Sequence, residues 1–357
     1  MSLRQAANTL HTLSHLCGVD GRDKPGHDEG VKRAGGLKKN VTTGCPTPSP
    51  APSEPNLPRV AVFTDKLDWH VEHTLAAFRA LGATPVAVRL SACRIDSARP
   101  HGLAIPGFHA LPDLVVVRAI GDGSLEAITM RLGVLHALEA LGVPLVNSAR
   151  SIERCTDKSM ASFLLARAGV PAPETFATQS LAQAREIARR ECGSGVLVMK
   201  PLFGAQGWGL RLVEKESDIP SLEDARGVYY LQRFVGPHRP PYEDMRILVS
   251  RGEAVAAMKR RSSHWITNVR QGAKPVAAEP TREERDMALA ASEAMGTIVA
   301  GVDLITSAQG RPMVLEVNSM PGWSGLQRIT PFSIAERLAA DALSLLPARR
   351  NAVSALG

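Results

Sequence analysis

Two carboxylates and one amide lie close together near the carboxyl end of the chain, within VAGVDLITSAQGRPMVLEVNSMPG. If this stretch is a hairpin that turns about residues 309 and 310, a symmetric register places Asp303 opposite Glu316. Asn318 then lies two residues further along the same side. Carboxylates that face each other repel, but together with an amide oxygen they form part of a cage for a hard divalent cation. The pattern predicts a metal site at these three residues.

Solvated acidic residues on an edge hairpin are the alternative interpretation of this pair. Apolar residues flank both positions, with VAGV before Asp303 and PMVL before Glu316. These flanks favour a buried hairpin, and a buried carboxylate without a partner is costly. The metal interpretation is therefore preferred.

A second candidate site begins at Lys200, which ends the apolar stretch VLVMK and is followed by FGAQGWGL. Gly204, Gly207 and Gly209 free backbone amides to approach an anion, so the loop suits phosphates. A tight hairpin is the alternative, because the spacing matches neither the Walker A pattern nor the dinucleotide fingerprint.

Composition limits the classes of protein that fit. The 357 residues are 44% hydrophobic with a formal net charge of +7, which is typical of a globular chain that suits anionic ligands such as nucleotides. No Lys/Arg run resembles a nucleic-acid arm, and no apolar run is long enough to span a membrane or form a secretory signal. Five widely spaced cysteines favour reduced thiols. These features predict a cytoplasmic protein without nucleic-acid or membrane partners.

The pattern of elements divides the chain. A Gly-, Pro- and Ser-rich stretch at 1–57 is predicted to be disordered or a non-native extension. Alternating strands and helices at 58–146 predict a small parallel α/β domain. A helix-rich segment then starts at residue 148, with Ser151 and Asp157 as candidate caps. Antiparallel strands with covering helices follow up to 347, and 348–357 form a tail.

The order of these pieces resembles the ATP-grasp superfamily and, within it, the RimK-like amino-acid ligases. The matching motifs, in order, are VPLVNS, CTDKSMASFLLARAGVPAPET, VMKPLFGAQGWG, YEDMRILV, AGVDL and VLEVNSMPG. The resemblance covers about 59–346. It implies a three-subdomain ATP-grasp fold, α+β in its ATP-grasp part, behind a parallel α/β pre-ATP-grasp domain at 58–146. The central lid subdomain would be 147–235, and the C-terminal subdomain with the metal site 236–347.

The resemblance implies ATP and Mg²⁺ (or Mn²⁺) as cofactors. Two lysines would contact the ATP phosphates, the glycine loop would close over the triphosphate, and the LQRFV strand would lie beside adenine. Asp303, Glu316 and Asn318 would hold the metal, in agreement with the hairpin argument. The implied nucleotide-binding residues are Lys158, Lys200, Gly204, Gln206, Gly207, Gly209, Gln232 and Phe234.

The resemblance also assigns residues to the chemistry. Arg246, Arg260 and Asn268 would face the reacting carboxylate and its acyl phosphate, where cationic donors stabilise growing charge. For Lys259 and Arg261, surface salt bridges are the preferred interpretation.

Contacts to an acceptor are predicted from a different set of residues. Arg118, at the end of DLVVVRA, is placed to reach the acceptor from the first domain. Indole rings offer flat stacking surfaces, which makes Trp265 and Trp323 candidate contacts, with ordinary surface or hinge packing as the alternative. The tryptophans all lie in segments predicted to be loops: Trp69, Trp208, Trp265 and Trp323.

The implied activity is ATP-dependent carboxylate–amine ligation through an acyl phosphate. The expected reaction adds L-glutamate to the carboxylate of a small acceptor such as a tetrahydromethanopterin-type pterin, in a homodimer or homotetramer. Alternatives are a glutamate ligase acting on a protein C-terminus, a D-alanine-type peptide ligase and a non-catalytic nucleotide-binding protein.

Overall fold

The computed structural model of the chain describes residues 57–204, 207–237 and 239–347. The predicted extension, apart from Leu57, lies outside these residues, as do the predicted tail and Gln206. The strands of the described part form three main sheets and one short two-stranded pair. No helix in these ranges has the length and apolarity needed to cross a membrane.

The first sheet is parallel, with strand order β2-β1-β5-β6, which confirms the predicted α/β domain. Alternate residues of β1 face two apolar clusters: Val60 and Val62 pack with α1 and the last helix, whereas Ala61 and Phe63 pack with α2. Helices on both faces explain why its strands are apolar throughout. The elements are β1 (Arg59–Phe63), α1 (Trp69–Ala80), β2 (Thr84–Val88), β3 (Arg94–Ile95), β4 (Leu103–Ala104), β5 (Leu114–Val117), α2 (Leu125–Ala140) and β6 (Leu145–Val146).

The second sheet is antiparallel, in the order β7-β10-β8-β9, and α5 covers one face. Asp157 caps α4 as predicted, accepting from the amides of Ser159 and Met160. The predicted cap at Ser151 is wrong, because the Ser148 hydroxyl caps α3 and accepts from the Ser151 amide. The elements are α3 (Ala149–Thr156), α4 (Lys158–Arg167), β7 (Thr175–Thr178), α5 (Leu181–Glu191), β8 (Leu197–Lys200), β9 (Arg211–Val213) and β10 (Tyr229–Arg233).

The third sheet is also antiparallel, with strand order β13-β12-β11-β14-β15. Helix α6 packs on it through Met287, Ala291 and Met295, and a capping box at Thr281 fixes where that helix begins. The elements are β11 (Tyr242–Ser250), β12 (Glu253–Ser262), β13 (Lys274–Ala277), α6 (Arg282–Met295), β14 (Val299–Thr306), β15 (Pro312–Asn318), α7 (Ser324–Gln327) and α8 (Ile334–Leu343).

The β14–β15 hairpin confirms the predicted pairing of Asp303 with Glu316, although by a different route. Near the turn, Leu304 pairs with Val314, and this register alone would place Asp303 opposite Leu315. A register shift of one residue between Asp303 and Leu304 restores the predicted pair. The predicted symmetric register is therefore wrong beside the turn and correct at Asp303 and Glu316.

Asn147 connects the end of β6 to this hairpin and is 1% exposed. Its amide nitrogen donates to the carbonyls of Val299, at 2.7 Å, and Ser319, at 2.6 Å. Its amide oxygen accepts from the backbone of Ile298, at 2.7 Å, and Val299, at 3.0 Å. One buried side chain thus satisfies four backbone groups around the hairpin.

We predict that Asn147→Ala lowers the free energy of unfolding by about 2–4 kcal/mol, because it leaves buried backbone groups without partners. Ser148→Ala is the matched control, since it removes one helix cap, for which about 1 kcal/mol is expected. Urea unfolding of the two variants measures the difference, and equal losses would contradict the bridging role.

Candidate active site

A cavity of about 420 Å³ lies among β8, β10, the β11–β12 pair and the β14–β15 hairpin. Its volume falls in the range of small-molecule sites. It brings together most of the residues singled out in the sequence: Arg118, Lys200, Gly207, Gln232, Phe234, Arg246, Arg260, Trp265, Asn268, Asp303, Glu316 and Asn318.

Asp303 is buried, and its partners among the described residues are arginines. Arg246 binds both of its carboxylate oxygens through Nε and Nη2, the latter at 2.7 Å, and Arg260 Nη2 lies 3.0 Å from Oδ2. Arg260 also donates from Nε to Asp244 at 2.6 Å. The pairs follow from strand register, since Arg246 lies opposite Asp303 and Asp244 opposite Arg260. We call these four residues the ionic network.

The ionic network corrects one step of the sequence argument. Burial of Asp303 was expected to require a cation, and two guanidinium groups already meet that need. Burial by itself raises the pKa of Asp303, but the charges of Arg246 and Arg260 outweigh it and hold the pKa below its usual range. For Asp244 burial prevails, and its pKa is raised despite Arg260.

The predicted metal donors fit a hard cation in chemistry. Glu316 is partly exposed, and one of its oxygens lies 3.9 Å from Lys158 Nζ. Asn318 donates from its amide nitrogen to the Gly301 carbonyl at 3.4 Å, so its oxygen can accept. Two carboxylates and an amide oxygen suit Mg²⁺, although a cation at Asp303 must compete with the arginines. Among the described residues, no cluster of three His, Cys, Asp or Glu side chains could hold a metal, so the amide is needed.

The two predicted phosphate-binding lysines lie on either side of the glycine loop. Lys158 is the first residue of α4, and its Nζ donates to the Gly204 carbonyl at 2.8 Å. Lys200 ends β8 and donates to Gln232 Oε1, on the neighbouring strand, at 2.7 Å. Burial lowers the pKa of Lys200 to about 8, with the charge of Glu316 opposing that shift.

The glycine loop needs glycine at two of its positions. Gly207 and Gly209 have φ angles of +73° and +76°, a region that side chains disfavour. A Cβ on Gly207 would also lie 2.7 Å from a methyl carbon of Ile266. The loop therefore approaches the segment after β12, where two sides of the cavity meet.

Of the three predicted acceptor contacts, Arg118 and Trp265 line the cavity and Trp323 does not. Trp265 lies in the cavity wall, edge-on to Phe234 at 6.2 Å between ring centroids. Trp323 is 1% exposed, and the Arg118 guanidinium covers its ring at 4.5 Å. The prediction that Trp323 stacks on an acceptor is wrong in this structure, because its ring is packed inside. Trp69, predicted in a loop, begins α1.

His70 is a cavity residue that the sequence argument missed. Its Nε2 accepts from the backbone amides of Trp323, at 3.1 Å, and Ser324, at 3.2 Å. Burial lowers the pKa of His70 to about 4, and the charge of Arg118 adds to the shift, so the imidazole is neutral near pH 7. One histidine in DWHVEH matches no motif, and its only signal is its place shortly after β1 at the carboxyl edge of a parallel sheet.

Two basic residues of β12 and one asparagine after it complete the predicted set. Lys259 and Arg261 both pair with Glu243, which confirms the predicted salt bridges. Asn268 lines the cavity, and its Oδ1 accepts from the Arg270 amide at 2.9 Å. Its side chain thus caps the short helical turn at 269–271, which fixes its orientation at the cavity.

The sequence profile of the RimK-like ATP-grasp domain matches residues 155–342. The chain belongs to this family. The "Tetrahydromethanopterin:alpha-L-glutamate ligase" of Methanococcus maripaludis is 36% identical over 294 residues, which cover 80% of this chain and 98% of the relative. The protein of the same description from Methanosarcina acetivorans is 30% identical over 303 residues, 74% of this chain and 92% of the relative.

Solved structures agree on the fold. The ATP-grasp ligase PsnB, complexed with a phosphomimetic variant of its minimal precursor, Mg and ADP, has a TM-score of 0.64 at 19% identity and covers 81% of this chain and 98% of its own. The predicted family, fold and enzyme class are confirmed. The protein is an ATP-grasp ligase that forms amide bonds.

We predict that Asp303→Asn and Glu316→Gln have different effects on stability. Asp303→Asn leaves buried arginines without their carboxylate, so the free energy of unfolding should fall by about 3–5 kcal/mol. Glu316 is partly exposed, and its isosteric variant should stay within about 0.5 kcal/mol of the original protein while losing Mn²⁺ affinity in the presence of ADP. Urea unfolding and electron paramagnetic resonance measure the two effects. Unchanged Mn²⁺ affinity in Glu316→Gln would contradict the metal assignment.

We predict that affinity for ADP falls as the pH rises through about 8. Phosphate binding favours the charged form of Lys200, whose pKa in the free protein is about 8, so affinity is highest below that pH and declines above it. Lys200→Arg stays charged and should show no decline up to pH 9.5. Calorimetric titration at constant Mg²⁺ compares the two proteins, and identical pH profiles would exclude Lys200 as the titrating group.

Proposed function

We propose that this ligase adds L-glutamate to the carboxylate of a tetrahydromethanopterin-type pterin. The observation that carries the proposal is the relative from Methanococcus maripaludis, whose description names that acceptor and which matches over 98% of its length. Cytoplasmic location stays a prediction from the composition, and a homodimer or homotetramer stays a prediction from the family resemblance.

ATP is proposed to bind with its phosphates at Lys158, Lys200 and the glycine loop. Lys158 Nζ lies 3.9 Å from a Glu316 oxygen, and the charges of Lys158 and Glu316 both act on Lys200. One end of the cavity is therefore suited to polyanions. Phe234 lies in the wall beside β10 and offers a ring next to adenine. Gln232 is 3% exposed and binds Lys200, so we assign it to holding the lysine rather than to contacting the base.

Mg²⁺ is proposed to bind at Asp303, Glu316 and Asn318, with Mn²⁺ as a substitute. When bound, the ion neutralises phosphate charge and orients the γ-phosphate. The donor chemistry of the three side chains supports this assignment. Asp303 would supply an oxygen if one arginine of the ionic network turned to the phosphate.

The proposed reaction has two steps. An oxygen of the acceptor carboxylate attacks the γ-phosphorus, the bond to ADP breaks, and an acyl phosphate forms beside Arg246 and Arg260, whose charges stabilise the developing anion. The neutral amine of glutamate then attacks the acyl carbon, a C–N bond forms, phosphate leaves, and the amine loses a proton. No side-chain nucleophile takes part, and the closed glycine loop protects the intermediate from water.

The aromatic wall supports a flat acceptor. Trp265 presents its ring at one side of the cavity, with Ile266 and Met320 also in the lining. A pterin ring gains from offset stacking against such surfaces and from polar contacts at its edge. Trp265 is therefore the acceptor contact that we retain from the sequence analysis.

We predict that incubation with Mg²⁺, ATP, L-glutamate and tetrahydromethanopterin adds one glutamyl residue to the pterin, as measured by mass spectrometry. Folate, a deazaflavin and a peptide ending in glutamate serve as competing acceptors, and Glu316→Gln is the inactive control. A glutamyl gain on another acceptor, with none on the pterin, would contradict the proposed acceptor and leave the ligase class intact.

A further inference from the structure

Arg118 is a buried guanidinium with an incomplete set of partners. Its Nη2 donates to the Pro321 carbonyl at 2.8 Å, and its plane stacks on Trp323. Its Nε is buried and has no hydrogen-bond acceptor among the described residues. Buried donors of this kind are normally paired, so Arg118 is poised to bind an anion.

The charge of Arg118 is also poorly balanced, in contrast to the arginines of the ionic network. No carboxylate of the described residues forms an ion pair with it, and Asp68 is the charge that acts on it from a distance. Burial accordingly lowers the pKa of Arg118 to about 10. A buried cation whose counter-charge is distant is costly, and an anionic ligand would lower that cost.

The position of Arg118 places this unmet charge in the cavity. It follows the last residue of β5, at the carboxyl edge of the parallel sheet, where ligands of such sheets bind. Arg270 lines the same cavity, and the charges of both arginines lower the pKa of His70, so this end of the cavity is positively charged. A positively charged end of the cavity suits a ligand that carries carboxylates.

We infer that Arg118 binds one of the two carboxylates of the incoming glutamate, rather than the acceptor to which the sequence analysis assigns it. The inference rests on glutamate as the added amino acid and not on the identity of the acceptor.

The order of the two proposed steps also favours Arg118 as a contact of the amine substrate. The acceptor carboxylate is consumed beside the phosphates, next to Lys158 and Lys200. The amine therefore enters from a side that the phosphates leave open. Arg118 contacts Pro321, which follows the proposed metal donor Asn318 by three residues. Arg118 and Asn318 line the same cavity.

His70 and Trp323 hold the guanidinium in place. The imidazole edge contacts the Trp323 ring at 4.9 Å and an angle of 82°, and its Nε2 binds the backbone of the same segment. Trp323 thus acts on the substrate through Arg118, which explains a tryptophan inside the wall of the site.

The test is calorimetric titration of L-glutamate into the full-length protein saturated with MgADP. Arg118→Gln should weaken glutamate binding at least tenfold, because a hydrogen-bonded charge pair is lost, and should leave MgADP affinity unchanged. Arg59→Gln is the matched control, since Arg59 stacks on Phe108 at 4.6 Å and donates to the Gly107 carbonyl at 2.7 Å, but lies outside the cavity lining. Its glutamate affinity should equal that of the original protein.

Three results would overturn the inference. They are no glutamate binding by the original protein, equal glutamate affinity in Arg118→Gln and the original protein, or a loss of tetrahydromethanopterin affinity in Arg118→Gln with unchanged glutamate affinity. If Arg118→Gln fails to bind MgADP, Arg118→Lys replaces it, with a smaller loss of glutamate affinity expected and unchanged affinity contradicting the inference. Glutamate binding that depends on Arg118, without turnover of the pterin, would support this inference and reject only the proposed acceptor.

Discussion

The ionic network of Asp244, Arg246, Arg260 and Asp303 is the constraint on which the site depends. Two carboxylates and two guanidinium groups are buried together, and any of them alone would be costly in that position. The register of β11 with β12 places Asp244 opposite Arg260, and the register of β11 with β14 places Arg246 opposite Asp303. Because Asp303 also pairs with Glu316, the same register places the proposed metal donors at the edge of the network.

The network balances its own charges, and this leaves other cations of the cavity available to ligands. Lys158 and Lys200 contact carbonyl and amide oxygens, with Glu316 as a distant counter-charge. Arg118 donates to the Pro321 carbonyl and stacks on the Trp323 ring. The cavity therefore offers positive charge at two places, one suited to phosphates and one to a carboxylate, as the proposed reaction of ATP, an acceptor and glutamate requires.

Local patterns were sufficient to predict the parallel sheet and the hairpin, whereas the ATP-grasp fold as a whole was predicted from the family resemblance of the ordered motifs. Alternation of apolar strands and helices identified the parallel sheet. A symmetric hairpin predicted Asp303 opposite Glu316, and in the structure this pair forms because of an unforeseen register shift. The partners of Asp303 could not be predicted in the same way, because Arg246 is 57 residues distant in sequence. His70 and Trp323 are 253 residues apart, and only the packed structure shows that one holds the other.

The account is tested most directly by a crystal structure with Mg²⁺ and a non-hydrolysable ATP analogue. It predicts Mg²⁺ within about 2.0–2.1 Å of oxygens from Asp303, Glu316 and Asn318, the phosphates at Lys158 and Lys200, and one arginine of the network turned from Asp303 to the γ-phosphate. An analogue bound elsewhere, or Mg²⁺ held without Glu316 while Asp303 keeps both arginines, would contradict it.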